Sequence, residues 1–307
     1  MNRKIILAGG SGFIGSALAR RFRERGCEVV VLTRSSPRRR GDGIREVQWN
    51  VDAPIEAAPW AKECEGAHAV INLAGASINC VHHEENRRRI RDSRLAAVRA
   101  LGAALRSCAQ PPAVWVQGSA VGIYGNGPGR CDEATPPGSG FLAHVCCDWE
   151  AALAAECPAG VRAVVLRIGV VLGRRGGAFP PLARLTKWFL GGAAGSGHQG
   201  MSWIGLHDLE EIFLRAVEND PMRGTYNACA PEPVSNAEFM RTLRDVVNRP
   251  WCPPAPSPVV RAIALVFLQT EPSLVLEGQY AFPSRLEAEG FRFTAPRLVT
   301  ALTALAD

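Results

Sequence analysis

The sequence predicts an α/β protein built on a Rossmann-like, doubly wound parallel sheet, with a smaller, mostly helical C-terminal region. Three observations predict this class. Short apolar runs alternate with helical patterns between residues 5 and 172, as βαβ units require. The first run leads into a glycine-rich turn at residues 9–15, and that turn opens a helix. The run at residues 29–32 is apolar throughout, which is typical of strands with helices on both sheet faces.

The individual elements follow in chain order. Short apolar or Val-rich runs predict strands at residues 5–8, 28–33, 46–49, 69–73, 113–117 and 161–167. Helical periodicity predicts helices at residues 13–25, 84–108, 141–156, 207–218 and 235–247, the first of them ended by Gly26. Five prolines between residues 250 and 258 predict a linker. The apolar run at 259–268 is expected to pack on protein, because it is too short to cross a bilayer.

Composition and charge exclude several classes of protein. The chain has 307 residues and is 47% hydrophobic, which is too apolar for a disordered protein. It contains no apolar run of roughly eighteen residues, so no membrane span is predicted. The net charge is +6, but the basic residues are spread among acidic ones and lack interleaved aromatics. We therefore expect neither nucleic acid nor a membrane as a partner.

The cysteines and the first residues predict a cytoplasmic protein. The N-terminal apolar run ends in the glycine turn and is too short for a signal peptide. The ten cysteines are therefore expected to be reduced and mostly buried. Cys80, His82 and His83 have no second ligand pair at a suitable spacing, so no metal site is predicted.

The glycine-rich turn predicts dinucleotide binding. Its spaced glycines provide a tight turn, a bare backbone that a pyrophosphate can approach, and close packing of helix on strand. The helix that follows offers backbone N–H groups and a partial positive charge to the phosphates. The predicted cofactor-binding residues of the turn are Gly9, Ser11, Gly12, Phe13, Ile14 and Gly15.

The end of the second strand predicts which dinucleotide binds. An NAD site would place Asp or Glu there, to bond the ribose 2′-hydroxyl. This sequence instead has Arg34 and Ser35, with no acidic residue before Asp42. A guanidinium can pair with a 2′-phosphate and stack on adenine. We therefore expect NADP(H) in preference to NAD(H), with Arg34 and Ser35 as cofactor-binding residues.

Several segments together resemble a known group of proteins. The glycine turn, Asn72-Leu73-Ala74-Gly75, and residues 118–125 and 167–173 resemble the extended short-chain dehydrogenase/reductase superfamily, which includes nucleotide-sugar epimerases and dehydratases. Residues 91–94, 148–150, 195–199, 203–204, 236–239 and 276–279 resemble its atypical YfcH-like epimerase family. The resemblance covers essentially the whole chain and implies a Rossmann-like fold that binds NADP(H).

The same resemblance implies a domain division and further cofactor contacts. It implies an epimerase/dehydratase-type domain at residues 1–228, with a Rossmann core at about 1–172, and a small C-terminal domain of unknown function at 249–297. It places residues 72–75 on the adenine side and residues 167–173 on the strand that passes the nicotinamide. The cofactor contacts that we carry over are Leu73, Ala74, Gly75, Arg94, Ser119, Arg167, Gly169 and Val170.

The catalytic pair of the superfamily is missing. In that superfamily a Tyr and a Lys four residues later share a helix face, and the Tyr moves a proton as hydride moves. The chain has three Tyr, and none has Lys four residues later. Alignment of the predicted 141–156 helix places Ala143 and Cys147 at the two positions, and neither side chain can do the usual work.

Four residues are candidates for the missing chemistry. His144 lies beside the vacant Tyr position, and His198 lies in a glycine-rich loop suited to close approach by a ligand. Ser119 keeps the hydroxyl that usually orients the substrate. Tyr124 would lean into the cleft.

Two functions are compatible with this pattern. We favour an NADP(H)-dependent oxidoreductase or epimerase acting on a small polar or nucleotide-linked substrate, because the cofactor motif is complete. The alternative is a non-catalytic NADP(H)-binding sensor or interaction protein, since a fold supports binding more readily than chemistry. The sequence leaves the oligomeric state open, and a homodimer through the helices at 84–108 and 141–156, which form a dimer face in relatives, is one candidate.

Overall fold

The computed structural model describes residues 3–38, 41–55, 58–127, 129–249, 251–266 and 269–306. The strands are β1 Lys4–Ala8, β2 Glu28–Thr33, β3 Arg45–Gln48, β4 Ala69–Asn72, β5 Val114–Ala120, β6 Arg130–Cys131, β7 Arg162–Ile168, β8 Val170–Gly173, β9 Gly176–Gly177, β10 Gly200–Met201, β11 Trp203–Gly205, β12 Gly224–Ala228, β13 Val234–Ser235 and β14 Tyr280–Ala281. The helices are α1 Phe13–Glu24, α2 Glu84–Ser107, α3 Phe141–Glu156, α4 Phe179–Lys187, α5 Leu206–Glu218, α6 Asn236–Val246, α7 Ser257–Val266, α8 Ser273–Leu276, α9 Ser284–Ala288 and α10 Leu298–Ala306. Short 3₁₀ helices span Pro59–Cys64 and Val121–Tyr124.

The main sheet has seven parallel strands in the order β12-β7-β5-β4-β1-β2-β3. The chain winds outward in one direction from β1 through β2 and β3, and then in the other direction from β4 onward. Leu7 of β1 pairs with Val31 of β2 on one side and with Ile71 of β4 on the other. The strand order therefore reverses beside β1, and ligands of open α/β sheets bind in the crevice at such a point. The predicted Rossmann-like fold is confirmed.

Helices cover both faces of this sheet. On one face, Leu18 and Phe22 of α1 and Phe213 of α5 pack on the buried strands. On the other face, Leu101 of α2 and Leu153 of α3 do the same. The central strands are apolar on both faces because both faces are buried, as the sequence pattern indicated.

The C-terminal region shares its core with the sheet domain. Leu286 of α9 is fully buried in the apolar cluster under β7 and β12. Leu302 of α10 is buried with Phe239 of α6 in a second cluster. The Arg285 guanidinium stacks 3.9 Å from the Tyr226 ring centroid of β12. Side chains beyond residue 280 are thus part of the packing that holds the edge of the sheet.

Two predictions about residues 250–268 are wrong. The proline-rich stretch is not simply a linker, because Ala255 pairs with Ala194 and α7 begins at Ser257. The apolar run that follows was expected to pack on protein, but within the described part of α7 only Ala264 is buried. Residues 267 and 268 of that run lie outside the described residues. In the part of the chain that the structure describes, no helix is long and apolar enough to span a membrane.

We expect a core substitution in the C-terminal region to destabilise the whole chain. Leu286→Ala should lower the free energy of unfolding by about 2–5 kcal/mol, because it opens a cavity in the core shared with β7 and β12. Leu190→Ala is the matched control, since Leu190 is exposed and its truncation should change stability by about 0.5 kcal/mol or less. Urea unfolding followed by tryptophan fluorescence and circular dichroism measures both. A separate early transition confined to the C-terminal region would contradict the shared core.

Candidate functional site

The glycine turn lies against the end of β4. Gly9 has φ +79°, in the left-handed region that favours glycine. A Cβ built on Gly9 would lie 2.7 Å from the Leu73 carbonyl carbon, and one built on Gly15 would overlap the Gly9 carbonyl oxygen. The Gly12 N–H closes the turn by donating to the Gly9 carbonyl at 3.2 Å. Side chains at these positions would therefore push the turn, α1 and β4 apart.

The turn leaves backbone donors at the start of α1. The first bond of the helix runs from the Ser16 N–H to the Gly12 carbonyl, at 2.8 Å. Within the described residues, the N–H groups of Phe13, Ile14 and Gly15 have no backbone acceptor. The N-cap, Gly12, supplies no side-chain cap, and the first turn of α1 holds no acidic residue. An anion at this helix end would meet both free donors and a favourable dipole.

Phe13 contributes to the turn in a second way. Its ring lies on the β8–β9 hairpin, where a Cβ on Gly173 would lie 2.6 Å from the ring and a Cβ on Gly177 would lie 2.9 Å from it. The Phe13 side chain is therefore occupied in packing, and its backbone N–H is the group left for a ligand.

Amide side chains fix the backbone after β4. Asn72 Nδ2 donates to Gln117 Oε1 at 3.0 Å, and Asn72 Oδ1 accepts from the Ala74 N–H at 3.0 Å. Both amide side chains are fully buried. They hold Leu73 and Ala74 in contact with Gly9, so three of the predicted segments meet at one edge of the sheet.

Arg34 and Ser35 lie at the same edge. They follow β2, whose residue Leu32 pairs with Ala8 of β1 just before the glycine turn. Both residues are exposed, and no carboxylate of the described residues pairs with Arg34. The Ser35 N–H donates to Thr33 Oγ1 at 3.3 Å. Arg34, which pairs with no carboxylate in the part of the chain that the structure describes, therefore lies where the sequence predicts a 2′-phosphate.

Arg94 brings a second cation to the cleft. Its Nη1 donates to the Ala76 carbonyl at 3.1 Å and to the Ile90 carbonyl at 2.8 Å, and the guanidinium lies 5.0 Å from the Trp149 ring centroid. Burial lowers the pKa of Arg94, and no carboxylate within the described ranges pairs with it. A Cβ on Gly75 would lie 3.0 Å from Arg94 Cζ, so this cation lies directly beneath the loop after β4.

Four side chains form a buried polar cluster beyond β5, which we call the Glu150 cluster: Ser119, Tyr124, Glu150 and Arg167. Ser119 Oγ donates to Glu150 Oε1 at 2.7 Å. Arg167 donates twice to the same carboxylate, from Nε to Oε1 at 2.9 Å and from Nη2 to Oε2 at 2.8 Å. The Arg167 and Glu150 side chains are 10% and 15% exposed. Although burial opposes the charge, the bonds to Glu150 raise the pKa of Arg167, so the guanidinium stays charged.

Tyr124 is held inside this cluster. Its hydroxyl accepts from Arg167 Nη1 at 3.0 Å, and lies 2.8 Å from Asn227 Oδ1 and 2.7 Å from the Asp132 carbonyl. Burial raises the pKa of Tyr124. The phenol therefore keeps its proton and directs it to a protein acceptor, and the Ser119 proton is directed to Glu150.

The helix face that would carry the catalytic pair has a different composition. Ala143 is buried, Cys147 is half-buried, and Glu150 follows one turn later on the same face of α3. Burial raises the pKa of the Cys147 thiol, which lies near the charges of Glu150 and Arg167. Sequence reasoning did not select Glu150 as a site residue. The sequence signal for it was spacing: Glu150 lies seven residues after Ala143 and three after Cys147, which puts all three on one helix face.

The structure unites some of the predicted catalytic residues and separates others. Ser119, Tyr124 and Arg167 meet in the Glu150 cluster. His144 and His198 are both exposed, and neither ring has a hydrogen bond to that cluster in the described part of the chain. No group of three His, Cys, Asp or Glu suited to a metal ion occurs among the described residues.

The remaining predicted contacts lie just after β7. The Gly169 N–H donates to the Ala228 carbonyl at 3.0 Å, and a Cβ on Gly169 would lie 2.6 Å from the Ser202 carbonyl oxygen. The Val170 N–H donates to that Ser202 carbonyl at 2.7 Å, while its side chain remains exposed. Gly169 thus bonds to β12 of the main sheet, while Val170 begins the pairing of β8 with β11 and presents an apolar side chain at the cleft.

Comparison with known proteins finds matching family models, full-length relatives and a similar solved structure. Residues 5–229 match the model of the NAD dependent epimerase/dehydratase family, and residues 255–305 match a domain of unknown function, DUF1731. The epimerase family protein SDR39U1 of Bos taurus is 36% identical over 97% of this chain and 98% of its own length. The epimerase family protein YfhF of Bacillus subtilis is 33% identical, over 98% and 97%. The crystal structure of human epimerase family protein SDR39U1 (isoform 2) with NADPH has 33% identity and a TM-score of 0.86, covering 99% of each chain.

Removing one partner of the buried ion pair should destabilise the protein strongly. Glu150→Gln leaves the Arg167 guanidinium buried without its carboxylate, and we expect a loss of about 3–5 kcal/mol in the free energy of unfolding. The matched control is Asp148→Asn on the same helix, which breaks the exposed bond from Arg91 Nε, 2.6 Å long. That loss should be about 1 kcal/mol or less. Urea unfolding of the two variants measures the difference. Equal losses of unfolding free energy would contradict the prediction that the buried Glu150–Arg167 pair stabilises the fold more than the exposed Asp148–Arg91 pair.

Proposed function

Since the chain belongs to the NAD dependent epimerase/dehydratase family, we propose that it binds NADP(H) at the glycine turn between β1 and α1. The observation that carries this proposal is the set of N–H groups at the start of α1 that have no backbone acceptor among the described residues, next to a turn in which Gly9 and Gly15 leave no room for a side chain. A human relative was crystallised with NADPH, which supports the same choice of cofactor. The recognised resemblance to this epimerase family is confirmed.

The residues present fit each part of the dinucleotide. The pyrophosphate would be held by the residues of the turn, Gly9, Ser11, Gly12, Phe13, Ile14 and Gly15. Leu73, Ala74 and Gly75 would line the adenine side, and Gly169 and Val170 the nicotinamide side. Arg34 and Ser35 would take the 2′-phosphate, because a guanidinium without a protein partner matches a phosphate in charge and geometry.

Arg94 would add a charge to this site without touching the turn. It is anchored by two backbone carbonyls and by the Trp149 ring, so its position is fixed before a ligand binds. Its charge is not neutralised by a carboxylate of the described residues. We assign Arg94 to the cofactor phosphates on the Gly75 side of the cleft. Ser119 and Arg167 would shape the nicotinamide side through Glu150.

We further propose an oxidoreductase or epimerase reaction on a small polar or nucleotide-linked substrate. Bound NADP(H) supplies or accepts a hydride, and the chain must then move a proton. The Ser119 hydroxyl donates to Glu150, and the acceptors beside the Tyr124 hydroxyl are Asn227 Oδ1 and the Asp132 carbonyl, so both protons are directed to protein groups. The proton carrier is therefore placed at His144 or His198, whose exposed imidazoles are free to meet a substrate. His144 is the first choice, because it adjoins Ala143, where the catalytic Tyr stands in the superfamily.

A second candidate function is a non-catalytic NADP(H)-binding sensor or interaction protein. The Glu150 cluster favours it, because its polar groups satisfy one another and leave Ala143 and Cys147 on the face where a proton donor would stand. In this case the protein would bind the cofactor without consuming it.

The cofactor assignment predicts a preference that depends on Arg34. NADPH at about 100 times its Kd should stabilise the protein by about 2.7 kcal/mol, and NADH at the same concentration should stabilise it much less. Arg34→Ala should remove most of that difference. Arg223→Ala is the control, because Arg223 is exposed and precedes β12 at the amino edge of the sheet. Thermal shift with the four nicotinamide cofactors measures the preference. Equal shifts for NADPH and NADH in the unsubstituted protein would refute the role of Arg34.

The reaction proposal predicts turnover that depends on a histidine. Carbonyl compounds and nucleotide sugars would be screened by NADPH absorbance, and the first active substrate used for kinetics. His144→Ala should lower kcat by about 100-fold or more if it transfers the proton, and His198→Ala should change kcat little. The reverse result would move the role to His198. Full activity in both variants would refute histidine as the proton carrier, and no turnover with any substrate would favour the sensor.

A further inference from the structure

An exposed aromatic surface follows α4. Its members, which we call the Trp188 patch, are Trp188, Phe189, Leu190 and Trp251. Trp188 is 76% exposed and Trp251 is 69% exposed. The other five tryptophans of the chain are all buried: Trp49, Trp60, Trp115, Trp149 and Trp203. Exposed tryptophan is therefore confined to this patch in the chain. Large exposed apolar surfaces commonly mark sites that bind a protein, a membrane or a ligand.

The two chain segments that form the patch are in contact. The Arg249 guanidinium lies 5.3 Å from the Phe189 ring centroid. Cys252 Sγ lies 3.9 Å from the Thr186 carbonyl oxygen. Trp251 is therefore held beside the end of α4, and the patch is continuous across the two segments.

Phe189 lies at a backbone position where an aromatic residue is unusual. The Leu190 N–H donates to the Leu185 carbonyl and the Phe189 N–H to the Thr186 carbonyl, each at 3.0 Å, which is the Schellman pattern at a helix end. Phe189 holds the left-handed position of that motif, with φ +62°, where glycine is usual. Glycine would fill this position without strain, yet the chain has a phenylalanine whose ring contacts the Arg249 guanidinium and is still 53% exposed.

An exposed apolar helix begins nearby. The Gly195 N–H donates to the Ala255 carbonyl at 2.8 Å, and the Ala255 N–H donates to the Ala193 carbonyl at 2.9 Å. These bonds tie the start of α7 to the loop that follows the patch. The exposed apolar residues of α7 are Val259, Ile263, Leu265 and Val266. The apolar surface of this region thus extends beyond the four residues of the patch.

The charge of the region has one sign. No Asp or Glu occurs from residue 157 to 207 or from residue 246 to 270, although the chain contains 29 acidic residues. The cations in or beside the patch are Arg184, Lys187, Arg249 and Arg261, and none forms an ion pair within the described residues. Exposed aromatic groups among unpaired cations match the interface of an anionic lipid bilayer, where tryptophan rings sit at headgroup depth and basic side chains meet phosphates.

We propose that the Trp188 patch docks the protein on the surface of anionic membranes. Trp188, Phe189, Leu190 and Trp251 enter the headgroup region, and the neighbouring cations contact lipid phosphates. A second copy of this chain fits the patch less well, because a two-fold interface would bring the same cations together with no acidic residue in either segment to pair them. The expectation of no membrane partner rested on the lack of a spanning run, and surface docking needs none.

The full chain would be tested by flotation with phosphatidylcholine vesicles, with and without phosphatidylglycerol. We expect binding only with phosphatidylglycerol, a decrease with added salt, and a blue shift of tryptophan fluorescence. Trp188→Ser combined with Trp251→Ser should weaken binding by about tenfold or more. The matched control is Val275→Ser with Val299→Ser, two exposed apolar residues outside the patch, which should bind as the unsubstituted protein does.

Folding and alternative partners are controlled in the same experiment. Circular dichroism and the NADPH thermal shift should be unchanged in the patch variant, so a failure of cofactor binding is distinguishable from a failure of docking. Equal flotation with both vesicle types, or no flotation with either, would overturn the proposal. Self-association that needs Trp188 and Trp251, measured by light scattering without lipid binding, would assign the patch to a second copy.

Discussion

The buried ion pair between Glu150 and Arg167 joins parts of the fold that are far apart in sequence. Glu150 belongs to α3 and Arg167 to β7, while Ser119 of β5 donates to the same carboxylate. Two charges withdrawn from water are tolerated only when each satisfies the other with good geometry. That requirement fixes α3 on the sheet and fixes the hydroxyl of Tyr124. Ser119, Glu150 and Arg167 are thereby engaged in bonds that hold the fold together.

The sequence predicts those parts of the fold that depend on neighbouring residues in the chain. Alternating apolar runs place the strands of the first half, and the turn before Phe13 needs glycine for reasons that its own backbone imposes. β12 escaped prediction because Gly224–Ala228 is short and includes polar residues whose partners lie elsewhere in the chain. Glu150 escaped because its role exists only when residues 119, 150 and 167 meet. The exposure of α7 escaped because an apolar run indicates burial unless the neighbours that would cover it are known.

Bonded polar groups, unbonded donors and exposed apolar groups lie in different regions of the chain. Around β5 and β7, polar side chains bond one another and little is left for solvent. Among the described residues, the first N–H groups of α1 have no backbone acceptor and Arg34 pairs with no carboxylate. After α4, aromatic surface remains uncovered. The buried polar bonds, the backbone donors of the glycine turn and the exposed aromatic surface therefore lie in three different regions of the chain.

Phe13 has a consequence for how this sequence can diverge. Its backbone belongs to the glycine turn, and its ring fills the space left by Gly173, Gly176 and Gly177 on the other half of the fold. A larger residue at Gly173 or Gly176 needs a smaller one at position 13, whereas Gly177 is also required by its positive φ and by the nearby Val171 carbonyl. A smaller residue at 13 leaves a void above the hairpin, so positions 13, 173 and 176 are constrained to change together. Segments about 160 residues apart would covary among homologues, and the covariation would trace the seam between the two halves.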